Sequence, residues 1–130
     1  MPFVNTKEIG NYGEAMAARY LRLHGYRIRA RNWYAGKCEL DIVASTLSDI
    51  VFVEVKTRSY SLDEYQTAPP PSLAVHANKQ RLTRVAASQY LYEHPTEKRP
   101  RMDVIEVWLL RDPRAKRPKV LKLHHIKAAY

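Results

Sequence analysis

Cys38-Glu39-Leu40-Asp41-Ile42-Val43-Ala44 and Ile50-Val51-Phe52-Val53-Glu54-Val55-Lys56-Thr57-Arg58 are the two runs on which the reading turns. The second is rich in β-branched residues, and the polar Thr46-Leu47-Ser48-Asp49 lies between them, so the spacing predicts a hairpin. With the turn centred between Leu47 and Ser48, Val43 faces Phe52, Asp41 faces Glu54 and Glu39 faces Lys56. Side chains alternate along a strand, which sends Ile42, Ala44, Val51, Val53 and Val55 together to a core face. The other face carries three carboxylates and a lysine.

Opposed like charges on neighbouring strands repel unless something shares them. A hard cation can do this, since Mg²⁺ takes one or two carboxylates and leaves room for water and phosphate oxygens. Lys56, two residues beyond Glu54 on the same face, is placed to hold a nucleophilic water or to steady charge on a phosphate. The plainer alternative is a Glu39–Lys56 ion pair with Asp41 and Glu54 solvated.

Composition narrows the choice. The chain has 130 residues, enough for one domain over 1–130 with its own core. Its 22 Lys and Arg against 13 acidic residues leave a net charge of +9, which points to a polyanion, nucleic acid ahead of a membrane surface. Cys38 is the only cysteine, so no internal disulfide forms and a reducing compartment is expected. Neither a signal core nor a spanning apolar run is present, and a cytoplasmic, membrane-free protein is expected.

In chain order, a helix is expected from Lys7 or Tyr12 to His24, with Met16, Ala17, Tyr20, Leu21 and Leu23 as its apolar side and Gly25 beyond its end. Glu14 falls beside that stripe; on spacing alone it reads as a boundary residue or a first-turn acid. Tyr26, Ile28 and Ala30 alternate with Arg27, Arg29 and Arg31, giving a strand with an arginine row suited to phosphates. Asn32 to Lys37 then reads as a turn, in which Trp33 and Tyr34 are candidates either for packing or for stacking on bases.

Ser59 to Val75, with Pro69-Pro70-Pro71, reads as a long irregular segment beside Lys56, placed to act as a flap over substrate. A second helix follows from Asn78 to Glu93, packing through Leu82, Val85, Ala86 and Tyr90. Lys79, Arg81 and Arg84 add charge to its first half. Strands are expected at Met102–Leu110 and Lys119–Ile126, where His124 and His125 point to opposite faces. The order α-β-β-β-α-β-β describes an α+β or α/β fold around one sheet of about five strands. No phosphate-cradling glycine loop, dinucleotide fingerprint or hydrolase elbow occurs.

Asp41, followed thirteen positions on by Glu54-Val55-Lys56, resembles the D…E-x-K half-motif of PD-(D/E)XK nucleases. More specific is an ordered series. It runs through Gly13-Glu14, Gly25-Tyr26, Arg31-Asn32, Glu39 to Val43, Phe52 to Arg58, Lys79-Gln80-Arg81 and Arg101-Met102-Asp103-Val104. From about Asn11 to Ala128 this series is similar to the small YraN-like family, whose fold resembles that of archaeal Holliday junction resolvases. The resemblance implies a restriction-endonuclease-like core and hydrolysis of phosphodiester bonds with Mg²⁺ or Mn²⁺. It makes Asp41 and Glu54 metal ligands, with the Val55 carbonyl a third, Lys56 the residue that orients the attacking water, and Glu14 an added first-helix acid.

Nucleic acid, DNA favoured, is the implied partner, contacted by Arg27, Arg29, Arg31, Arg58, Lys79 and Arg81, with the protein acting as a monomer or homodimer. One departure stands out. The family usually has Gly directly before its Glu-x-Asp, where this chain has Cys38, so a shift in the local backbone path is expected. Two other readings stay beside the nuclease: a nuclease-fold protein that binds nucleic acid without cutting, and a protein-interaction module with structural acids.

Overall fold

The computed structural model describes residues 6–67 and 77–130. Helix α1 (Thr6–Leu23) precedes strands β1 (Arg27–Ala35), β2 (Cys38–Ser45) and β3 (Asp49–Tyr60). A short α2 (Leu62–Thr67), then α3 (Ala77–Glu93), β4 (Arg99–Leu110) and β5 (Lys119–Ile126) complete the order. The five strands lie in sequence order in one sheet, antiparallel except for the parallel β3–β4 pair. The fold is therefore mixed α/β, with a helix against each face of a mixed sheet.

Each face has its own core. On one, Ala17, Ala18 and Leu21 of α1 pack with Ile42, Ala44, Val51, Val53, Ile105 and Val107. On the other, Ala86, Ala87 and Tyr90 of α3 pack with Leu40, Val43, Ile50, Phe52 and Met102. The expected core face of the hairpin is thus the α1 face. Small residues carry much of the helix contact: Leu23 and Val85, expected to pack, are exposed, and Ala18, Thr83 and Ala87 are buried in their place. Hydrophobicity favoured the branched side chains, whereas close approach to a sheet favours the short ones.

Helix α1 ends in a Schellman motif. Gly25 has φ of 87°, its N–H donates to the Arg22 carbonyl at 3.2 Å, and Tyr26 N–H donates to the Leu21 carbonyl at 2.9 Å. At the other end, Gly13 lies against β3 where any Cβ would collide with the Thr57 side chain. That contact seats the middle of α1 on the sheet and fixes where Glu14 falls.

Two expectations about segments change. The run from Asn32 to Ala35 continues β1, with Trp33 opposite Leu40 and Tyr34 opposite Glu39; the turn is confined to Gly36 and Lys37. Nor is the stretch after Arg58 irregular at its start. Ser59 and Tyr60 extend β3 opposite Leu109 and Leu110. Ser61 and Glu64 then form a capping box for α2: Ser61 N–H donates to Glu64 Oε1 at 2.9 Å and Glu64 N–H to Ser61 Oγ at 3.2 Å. The flap expectation for Pro69-Pro70-Pro71 lies outside the described residues.

Candidate metal centre

The β2–β3 ladder has the expected register, with Val43 opposite Phe52, but its last rung is Ile42–Val53. Asp41 and Glu54 are therefore not ladder partners. Asp41 Oδ2 instead accepts a hydrogen bond from Val55 N–H at 2.9 Å, capping the point where the ladder stops. Here β2 also rolls over: Ile42 packs on the α1 face, while Leu40, which strict alternation would put beside it, packs on the α3 face. Across from this roll, between the rungs Arg31–Ile42 and Trp33–Leu40, β1 carries Asn32 at φ of 50°. Asn tolerates that conformation better than most residues, and its side chain hydrogen-bonds Glu14.

The roll gathers acids. Carboxylate oxygens of Glu14, Glu39 and Asp41 lie within 4.8 Å of one another. Asp41 and Glu54 are 7% and 4% exposed, deep enough for charge to be costly without a partner. Burial, then the Glu54 charge, pushes the Asp41 carboxyl up to about 8, against the opposing Val55 hydrogen bond. Glu14 is raised as well, by burial first and the Glu39 charge second. Glu14 Oε1 and Glu54 Oε2 are buried with no hydrogen-bond partner among the described residues. Acids pressed together, with the carboxyls of Asp41 and Glu14 pushed up and the oxygens of Glu14 and Glu54 unsatisfied, fit a hard divalent cation, which prefers such all-oxygen sites.

Cations complete the surroundings. Lys56 Nζ is 3.3 Å from Glu54 Oε1, and Lys79 Nζ, from α3, is 3.8 Å from Glu54 Oε2. The expected Glu39–Lys56 facing does not occur. Glu39 is opposite Tyr34 on β1 and turns toward Glu14, whereas Lys56 is opposite Glu106 on β4. Val55 reaches Asp41 through its N–H, and Cys38 is an ordinary strand residue opposite Ala35, with no positive φ that would demand glycine.

The remaining expected contacts are dispersed. Arg27, Arg29 and Arg31 do not form one row, because a bulge between Ile28 and Ala30 sends Ile28 to the α1-side core and Ala30 to the α3-side core. Arg29 Nε donates to Ser45 Oγ at 2.9 Å, Arg31 lies close enough to Glu14 for its charge to oppose the rise in that carboxyl's pKa, and Arg27 stays exposed at the strand start. Arg58 is exposed further along β3, opposite Trp108, and Arg81 is held by Asn78 at 3.0 Å. Of these six, Lys79 and Arg31 adjoin the acids.

Two neighbours of the site have contacts other than those the sequence suggested, and a third escaped the sequence reading. Glu39 was placed on the correct face but given the wrong partner. Tyr34 hydrogen-bonds Glu39 and feels the charges of Glu14 and Asp41, which raise its phenol's pKa. Tyr130 is brought in by a clamped tail: Ala129 N–H donates to the Met102 carbonyl at 2.7 Å and Ala128 N–H to Asp103 Oδ1 at 3.0 Å. Its ring lies under Arg84 at 5.3 Å, and burial followed by the charges of Glu54 and Asp41 pushes its phenol up. No local pattern in the sequence signals a contact between residues so far apart.

The model of an uncharacterised protein family, UPF0102, matches residues 13–107, which span α1 to β4 and every acid of the site. This chain is a member of the UPF0102 family. Similar relatives include a UPF0102 protein of Porphyromonas gingivalis, 44% identical over 108 residues, covering 83% of this chain and 76% of that one. A UPF0102 protein of Bacteroides thetaiotaomicron is 43% identical over 100 residues (77% and 78% of the two chains), and one of Alkaliphilus oremlandii is 38% identical over 127 (95% and 98%). UPF0102 membership agrees with the YraN-like resemblance of the sequence.

Proposed function

We propose that this UPF0102 protein is a nuclease that hydrolyses phosphodiester bonds in DNA with Mg²⁺ or Mn²⁺, on a restriction-endonuclease-like core related to Holliday junction resolvases, with branched DNA as a candidate substrate. The observation that carries this reading is the convergence of Glu14, Glu39, Asp41 and Glu54 beside Lys56 where the β2–β3 ladder ends. A purely structural protein gains nothing from burying acids that repel one another.

In this reading Asp41, Glu54 and the Val55 carbonyl hold the cation, with Glu14 and Glu39 supporting it. Bound there, a cation would supply Lewis-acid polarisation of the phosphate and a lowered pKa for its water. Lys56 orients the attacking water and offsets charge on the phosphate; its 3.3 Å contact with Glu54 keeps the ammonium at the site. Lys79 holds Glu54 from the helix side.

A binding module that does not cut is the second reading. It draws support from Lys56 and Lys79, which together can neutralise Glu54 without metal. Cleavage of labelled four-way-junction, flap, single-stranded and duplex DNA, with Mg²⁺ or Mn²⁺ against EDTA, separates the two. Metal-dependent cutting by wild type that disappears in Asp41→Asn is expected; salt-sensitive binding without cutting would transfer the assignment to the binding module.

A further inference from the structure

The two aromatics of the β1 end have different fates. Trp33 packs into the α3-side core, edge-on to Tyr90 with ring centroids 5.2 Å apart. Tyr34, the next residue, leaves that core and is 61% exposed. It stands directly opposite Glu39, to which its phenol is hydrogen-bonded, and Glu39 belongs to the three-acid cluster. An exposed ring is thus fixed at the lip of the acidic site by its cross-strand partner. Exposed cations bracket it: Arg31 three residues before, close to Glu14, and Lys37 three residues after, in the turn.

Alternating cation, aromatic ring and cation is how proteins hold single-stranded nucleic acid: charges follow the backbone and the ring takes a base by stacking. A base inside a duplex offers its face only to its stacked neighbours. We infer that Tyr34 is the platform for an unpaired nucleobase next to the phosphate held at the acids, with Arg31 and Lys37 on flanking phosphates. This assignment rests on the phosphodiester reading and adds a preference for unpaired strand at the site, as in a flap or an open junction.

The test is binding, not cutting. Wild type, Tyr34→Phe and Tyr34→Ala are titrated, in Ca²⁺, against a short single strand carrying one 2-aminopurine and against the same sequence as a blunt duplex. Tyr34→Ala should weaken single-strand binding roughly tenfold and abolish quenching of the 2-aminopurine, with about a twofold change or less on duplex. Tyr34→Phe should keep both the affinity and the quenching. Because the ring is exposed, the melting temperature of Tyr34→Ala should match wild type, which excludes misfolding as a cause. Wild-type affinity in Tyr34→Ala, or equal losses on both substrates, overturns the stacking role. Binding to neither substrate by wild type overturns the nucleic-acid reading and this inference with it. Single-strand stacking in a protein that never cuts leaves the inference standing and removes the nuclease reading alone.

Discussion

At Asp41, burial, the Glu54 charge and the Val55 hydrogen bond compete, and the first two prevail: the metal-free carboxyl keeps its proton up to about pH 8. The unfolded chain releases the same proton near 3.8. Between these limits the folded state binds more protons than the unfolded one, so stability is full below about pH 4 and falls as pH rises toward 8. Asp41→Asn, which cannot ionise, should therefore raise the melting temperature in EDTA at pH 8 by roughly 4 °C or more, with little change at pH 4. Parallel pH profiles for mutant and wild type would contradict this assignment.

Asp103 is the opposite case. Although burial opposes its charge, hydrogen bonds from His125 (2.7 Å) and Arg101 (2.8 Å) hold its carboxyl down to about 2. Its stabilisation is present above about pH 4 and is lost as pH falls toward 2. Asp103→Asn should cost about 3 kcal/mol in denaturant titration at pH 7, since it removes one of the two carboxylates that hold Arg101 and leaves only Asp49, at 2.8 Å; a loss within error would make that ion pair incidental. That Asp41 and Glu54 lie near one another was legible from strand alternation, although the ladder stops one rung short of them, and their role as ligands came from the resemblance. The His125–Asp103–Arg101 network was not, because its members meet through β4–β5 pairing that no local pattern encodes.

Among the elements, the contact of α1 with β3 is the most exacting. Alanine usually stabilises a helix relative to glycine, by about 1 kcal/mol or less. At Gly13 the sign reverses, because a Cβ would strike Thr57. Gly13→Ala should lower stability by about 1–3 kcal/mol and, by lifting Glu14 from the other acids, weaken Mn²⁺ binding. A stabilised variant with unchanged Mn²⁺ affinity would show that α1 can shift without affecting the centre. The hairpin register and the order of the main elements could be read from spacing. The continuation of β1 through Tyr34 and the capped α2 could not. Asn32 suggested a turn where β1 in fact continues, and Ser61-Leu62-Asp63-Glu64, a recognisable cap, lay inside a segment judged by its prolines.

For the whole molecule, a net charge of +9 coexists with a buried acidic centre, so long-range attraction and short-range repulsion act on the same polyanion. Binding should weaken linearly in log–log salt titrations, each phosphate contact contributing about 0.7 to the slope on single strands. Replacing Arg31 and Lys37 together by alanine should flatten that slope by roughly 1 to 1.5, and Arg27→Ala by less. Equal effects would mean that the charge acts as a diffuse field and not at a lip beside the acids.

The parallel β3–β4 pair carries a kinetic consequence. Its rungs join residues fifty apart in sequence, from Asp49–Arg99 to Tyr60–Leu110, whereas β2 and β3 meet through a three-residue connection. Contacts that close long loops form late, so the hairpin bearing Asp41 and Glu54 should assemble before β4 arrives. During that interval both acids stand in water, and Asp41 ionises without the penalty that burial later brings. Their mutual strain is switched on only when the last strands and helices close over them. Refolding should therefore be faster at a pH where Asp41 can take up a proton, or in the presence of a cation that joins the two acids as the sheet completes.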